Sequence, residues 1–142
     1  MSFAKAKEHL MQYGLDSRIM EFSVSSATVK EAANAIGCEE EEIAKTLSFL
    51  MNDQPVCIEA AGNCKIDNSK FKAEFHVKAK MIPFDSVEML IGHAAGGVCP
   101  FAVNENVTIY LDISLKKFKT IYPACGSSNS AVKLTVDELE LA

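Results

Sequence analysis

Lys45 stands in the run Ile43-Ala44-Lys45-Thr46-Leu47-Ser48-Phe49-Leu50-Met51. If this run is extended, alternation puts Lys45 on the same face as Ile43, Leu47, Phe49 and Met51. An ammonium on an apolar face loses hydration, so it must meet an anion or reach water. Such a lysine can grip an anionic or polar group, or form a Schiff base with a carbonyl substrate. Two quieter readings stay open. In a helical turn, Glu41 and Lys45 would form a surface i,i+4 pair; at a strand end, the lysine head would snorkel to water.

A second candidate is Gly92-His93-Ala94-Ala95-Gly96-Gly97-Val98-Cys99-Pro100-Phe101, which reads as a loop. Its glycines permit positive φ and close backbone approach, so successive amides can be aimed at a carbonyl oxygen or a phosphate. The spacing fits neither the dinucleotide nor the P-loop fingerprint. Cys99 in this loop could act as a nucleophile with His93 close by, but no base is tied to it by sequence, and a buried thiol is the simpler reading. Asp112, opposite the apolar stripe of Val107-Ile113, could accept a proton or anchor a hydroxyl. Gly126-Ser127-Ser128-Asn129 offers hydroxyl and amide donors, or simply turn chemistry. His9 and His76 read as surface residues.

The elements that must position these residues follow from capping and periodicity. Ser2 is placed to cap a first helix carrying Phe3, Ala6, Leu10 and Tyr13, stopped by Gly14. A short strand is expected over 19–22. Thr28 to Glu31 forms a capping box for a helix ending at Gly37. Strands over 43–51 and 56–60 should pair across Asn52-Asp53-Gln54-Pro55. Asp67 starts a lysine-rich helix to about Phe75, and Asp85 to Glu88 caps another, stopped by Gly92. The alternation of Val107, Ile109, Leu111 and Ile113 predicts a strand over 107–113. Strands over 119–124 and 131–134 follow, and Thr135 to Glu138 caps a last helix. Hairpins mixed with helices, without βαβ alternation, imply an α+β domain around a mixed, mostly antiparallel sheet flanked by helices.

The chain has 142 residues, 49% hydrophobic and 23% charged, enough for one self-sufficient core spanning 1–142. No apolar run is long enough to span a bilayer, and the start lacks a secretory h-region. Five scattered cysteines without a Cys-x-x-Cys pair suit a reducing, cytoplasmic setting and suggest no metal or other cofactor. The net charge of −5 argues against an extended nucleic-acid interface. Charge is uneven, however. Residues 39–42 are four glutamates, whereas Lys65, Lys70, Lys72, Lys78 and Lys80 face only Asp67 and Glu74 within 65–80. Lys116, Lys117 and Lys119 form a second basic cluster. One end of a nucleic acid could be held at such a place.

Ile43-Ala44-Lys45-Thr46-Leu47, then Gly96-Gly97-Val98-Cys99-Pro100, Tyr110-Leu111-Asp112 and Gly126-Ser127-Ser128-Asn129 occur in an order and spacing that resemble the YbaK / prolyl-tRNA-synthetase-associated domain family, over about 19–141. The resemblance implies a free-standing aminoacyl-tRNA editing domain. Such a domain is a deacylase acting in trans on the ester of a mischarged tRNA, such as tRNA(Pro) carrying Cys, Ala or a similar small amino acid. It implies a catalytic role for Lys45, near the scissile ester. Thr46, Gly96, Gly97, Val98, Cys99, Pro100, Asp112, Gly126, Ser127 and Asn129 would bind substrate. The implied partner is the aminoacyl-tRNA 3′ end and, beyond it, prolyl-tRNA synthetase; the basic excess at 65–80, rather than the resemblance, makes Lys70 and Lys72 candidate RNA contacts, or simply a solvated helix face. Editing insertions commonly carry a histidine near the loop at 126–129; here there is none. A non-catalytic relative that binds a nucleotide, RNA or protein is the alternative reading.

Overall fold

The computed structural model describes residues 2–65, 67–77 and 80–142, with Ser2 described by its backbone alone. The expected Ser2 cap and Lys78 therefore lie outside the described residues.

The centre of the molecule is a long antiparallel hairpin of β2 (Ile43–Met51) and β3 (Gln54–Ala61). Its apolar, β-branched and aromatic content fits strands buried on both faces. Asn52 and Asp53 close it at φ 50° and 66°, the left-handed pair that a two-residue hairpin turn demands. Gln54 and Pro55, expected in the turn, already belong to β3. The register sets Thr46 opposite Glu59, Lys45 opposite Ala60 and Ser48 opposite Cys57.

Two short strands complete a four-stranded mixed sheet in the order β4-β3-β2-β5. β4 (Thr108–Leu111) runs parallel to β3, and β5 (Tyr122–Pro123) runs parallel to the start of β2. The long pairing is thus antiparallel and the two short ones parallel. A separate antiparallel pair joins β1 (Ile19–Glu21) to β6 (Ser130–Val132).

Helices close both faces. α3 (Asn68–Phe75), capped by Asp67 through the Lys70 amide at 3.0 Å, packs Phe71 on Phe49, Val56 and Ile58. On the opposite face, α4 (Val87–Ile91) places Val87 and Ile91 against Cys57. α1 (Ser2–Met11) buries Ala6 and Leu10 with Phe101, Leu115, Ile121 and Leu134. α2 (Val29–Ile36) begins at the Thr28–Glu31 capping box and ends at Gly37 (φ 84°). α5 (Val136–Leu141) begins at the expected Thr135–Glu138 box.

Four further expectations are corrected. Asp85 caps nothing: Pro83 leads into a 3-10 turn, Phe84–Ser86, which runs directly into α4 without a side-chain cap. The strand expected to reach Ile113 stops at Leu111, because the Asp112 carboxylate turns to accept from the Ser114 amide at 2.9 Å and caps a 3-10 helix, Ile113–Lys117. The strand expected over 119–124 shrinks to β5, continued only by single bridges of Ile121 to Leu134 and Ala124 to Ala131. His9 is half-buried: its ring lies 6.1 Å from that of Phe101, and Nε2 is 3.2 Å from the Ala142 carbonyl.

Candidate active site

The free edge of β2 has two occupants and a gap between them. β5 covers Ile43 and Ala44. Further on, the Leu50 amide donates to Lys80 O at 2.9 Å and the Ile82 amide to Ser48 O at 3.1 Å. Pro83 then carries the chain away. Backbone groups alternate direction along a strand, so Thr46, two residues before Ser48, turns its own N–H and C=O toward the gap. The gap opens into a cavity of about 430 Å³, within the range of small-molecule sites. One wall is the segment 26–29 with Ala32; another is Ala95, Gly96 and Val98 of the glycine loop; Phe84 and Met81, 77% and 61% exposed, stand at the mouth.

Lys45 borders this cavity and a second one of about 290 Å³ on the α3 side, which Cys64, Lys65 and Asn68 also line. As expected of a lysine on the apolar face, it needs partners. Its Nζ donates to the carbonyls of Cys64 and, at 3.3 Å, Gly62. The helical-turn pairing with Glu41 is excluded, because Lys45 lies in β2. Partial burial lowers its pKa; nearby Cys64 opposes that shift and Lys65 adds to it.

The glycine loop is held against the 126–130 loop by a close approach. A Cβ on Gly97 would stand 2.8 Å from the Ser127 amide nitrogen, so the contact admits only glycine. Gly96 adopts φ 95°. The Gly97 amide closes a turn onto Ala94 O at 3.0 Å and is therefore not aimed at the cavity. Across the contact, Ser127 Oγ pairs with Asn129 Oδ1 at 3.0 Å and Ser130 Oγ at 2.5 Å. The Asn129 side-chain amide donates to Phe22 O at 3.0 Å. These side chains fix the loop.

Of the residues singled out by sequence, Lys45, Thr46, Gly96 and Val98 meet on the cavity wall. Gly97, Cys99 and Pro100 lie behind it or beside it in the same loop, and Gly126, Ser127 and Asn129 sit in the loop that supports it. Asp112 is exposed at the far end of β4, and Lys70 and Lys72 are exposed on α3; none of the three lines the cavity.

Cys99 and His93 are both fully buried, Sγ 3.5 Å from Nε2. Nε2 also lies 2.6 Å from Phe101 O, so it carries the ring proton and donates there. Burial pushes the thiol well up and the imidazole down. A protonated thiol facing an N–H has no base, which disarms it as a nucleophile.

Sequence reasoning missed Glu59. It is fully buried in β3; its Oε1 accepts from Thr46 Oγ1 at 2.8 Å, and Oε2 has no partner. Desolvation raises its pKa to about 8, with the Thr46 hydrogen bond opposing. The signal was present: one carboxylate inside Val56-Cys57-Ile58-Glu59-Ala60-Ala61.

Residues 24–141 match the family model of the aminoacyl-tRNA editing domain. The chain is 46% identical to YwhH, an uncharacterized protein of Bacillus subtilis, over 98% of this chain and 89% of that one. It is 24% identical to EbsC of Enterococcus faecalis, a candidate Cys-tRNA(Pro)/Cys-tRNA(Cys) deacylase, over 83% of this chain and 73% of EbsC. Among solved structures, a candidate trans-editing enzyme for prolyl-tRNA synthetase superposes with a TM-score of 0.87 at 27% identity, covering 97% of this chain and 88% of that one.

Glu59 generates a prediction about stability. A carboxyl whose pKa rises on folding, here from 4.5 to about 8, binds its proton more tightly folded than unfolded. Its contribution is therefore complete below the lower value and is lost as pH rises through that window. One pK unit is about 1.4 kcal/mol, so the wild type should lose a few kcal/mol more than Glu59→Gln between pH 5 and pH 8. Urea midpoints at both pH values measure this; parallel pH profiles for the two proteins would show that Glu59 is not held protonated.

Proposed function

Because this chain belongs to the aminoacyl-tRNA editing domain family, we propose that it is an aminoacyl-tRNA deacylase acting in trans, with the β2-edge cavity as its ester site. The observation that carries the reading is the gap at Thr46. An unpaired N–H and C=O, a lysine and a glycine-built wall converge on a volume of about 430 Å³.

The reaction asks little of side-chain acids and bases. Water adds to the ester carbonyl, the tetrahedral oxyanion collapses, and the ester bond breaks. The 3′-oxygen leaves with a proton, giving free amino acid and tRNA. An activated ester needs mainly positioning and oxyanion stabilisation. The cavity offers this kind of help: among its described lining residues Lys45 is the only cation, and no carboxylate or imidazole is among them. Lys45, released from its carbonyl partners, would meet the polar end of the substrate beside the ester, and the Thr46 amide would face the carbonyl. The walls are largely Ala and branched aliphatic residues, including Ala32, Ala44, Ile43 and Val29. They suit a small apolar or thiol side chain, and Cys- or Ala-charged tRNA(Pro) is the substrate we infer. A pocket that excludes the correct amino acid by size is the logic of a second sieve. Prolyl-tRNA synthetase would be the source of such mischarged tRNA.

The test is a panel of mischarged tRNAs. Lys45→Ala should lose about a hundredfold in kcat/KM, the order expected when a charged partner of a desolvated polar group is removed, while keeping the wild-type melting curve. Equal rates for both proteins would remove Lys45 from the site.

Cys99→Ser should turn over the same panel at rates comparable with the wild type, since the thiol is protonated and faces no base. A complete loss of turnover in a folded, tRNA-binding variant would revive a thiol nucleophile.

With a net charge of −5, only a few lysines can grip RNA. The reading gives that role to Lys70 and Lys72 on the exposed side of α3. One or two phosphate contacts to a single strand predict a slope of log affinity on log salt near roughly −1. Charge reversal of both lysines should raise KM for aminoacyl-tRNA more than it lowers kcat. An unchanged KM would return them to plain solvent exposure, and a steep salt slope would mean a broad RNA interface.

A further inference from the structure

Glu59 has no structural reason to be a carboxyl. Its neighbours on the same strand are Ile58 and Ala60, and it is fully excluded from solvent. Thr46 faces it from β2; Cys57 on its own strand and Cys99 from the glycine loop are the titratable groups near it, both thiols. From β4, Leu111 is its register partner. The Asp112 amide bonds the Glu59 carbonyl at 2.8 Å, while the Asp112 carboxylate is turned away to Ser114. A buried carboxyl with one hydrogen bond and an unpartnered oxygen costs stability that an aliphatic residue would not.

What it does give is a direction to one hydroxyl. Thr46 Oγ1 has a single proton and donates it to Glu59 Oε1. The threonine oxygen then has only lone pairs left, so toward anything else it can only accept. The Thr46 carbonyl, on the open strand edge, is an acceptor too. No carboxylate is among the described lining residues of the cavity, so a cationic substrate group there must be held by neutral acceptors.

We propose that Glu59 is a positioning residue: by taking the Thr46 hydroxyl proton from behind the cavity wall, it fixes Thr46 as an acceptor for the α-ammonium of the aminoacyl group. The inference rests on the deacylase reading. Burial raises the pKa of the carboxyl, and its Oε1 accepts the Thr46 hydroxyl proton. A glutamine can do the same through its amide oxygen; a leucine cannot.

The test is binding, which does not depend on turnover. The probes are 3′-deoxy-3′-alanylamino-adenosine, a non-hydrolysable amide analogue, and its N-acetyl derivative, which lacks the ammonium. Isothermal titration should show the wild type preferring the free amine by about tenfold or more, the strength of a hydrogen bond to a charged group. Thr46→Val and Glu59→Leu should lose that preference, and Glu59→Gln should retain it. A merely structural role would weaken both probes alike. Should Glu59→Leu not fold, the contrast between Thr46→Val and Glu59→Gln decides. A folded Glu59→Leu or Thr46→Val that keeps the preference overturns the inference, as does a wild type that binds both probes equally; in either case the deacylase reading stands. A wild type that binds neither probe overturns both.

Discussion

The register of one hairpin governs this molecule. Eight residue pairs lock β2 against β3, from Ala44–Ala61 to Met51–Gln54. A slip by one residue would exchange the two faces completely. With the register fixed, Lys45 and Thr46, adjacent in sequence, are sent to opposite sides of the sheet. Lys45 goes toward α3 and the carbonyls of Gly62 and Cys64; Thr46 goes toward Glu59 and the glycine loop. Both still border the cavity, because it opens through the sheet edge between them.

The cavity itself exists because neither neighbour of β2 is long enough. β5 ends at Pro123, and the segment at 80–82 departs at Pro83. Between these two neighbours one stretch of strand edge is left uncovered. An exposed edge is ordinarily a liability. Here the glycine loop and the start of α2 enclose it, turning a potential pairing surface into a small pocket. Behind the pocket lie buried polar groups, Glu59 and His93, each with an unpartnered atom. Burial disfavours the charged forms of both and of the Cys99 thiol beside them.

Much of this was legible in the sequence, for identifiable reasons. Capping boxes at Thr28 and Thr135, Asp67 ahead of α3 and the extended run from Ile43 to Met51 are local signals that tertiary packing did not override. The odd position of Lys45 was visible because a charge interrupts an alternating apolar face. Glu59 interrupts its strand in the same manner yet went unread, because that strand is buried on both faces and shows no alternation to break. Asp112 misled for the opposite reason. Its place beside a clean alternating stripe suggested a strand-face acid, but an aspartate two residues before Ser114 prefers its own backbone turn. The contact of Gly97 with Ser127, between loops thirty residues apart, has no local signature at all. The packing of α3 on the hairpin through Phe71 was not read from the sequence, because the helix shows there mainly as a lysine-rich segment.

On the deacylase reading, the aminoacyl ester sits in the β2 gap at Thr46. The direct measurement is a map of amide chemical-shift changes in isotopically labelled protein, titrated with a non-hydrolysable aminoacyl-adenosine. An ester seated in this gap should place the largest changes on Lys45, Thr46 and Leu47, on Gly96 and Val98, and on Ala27 and Thr28 across the cavity. Changes confined to another surface, with the Thr46 amide unmoved at saturation, would contradict it.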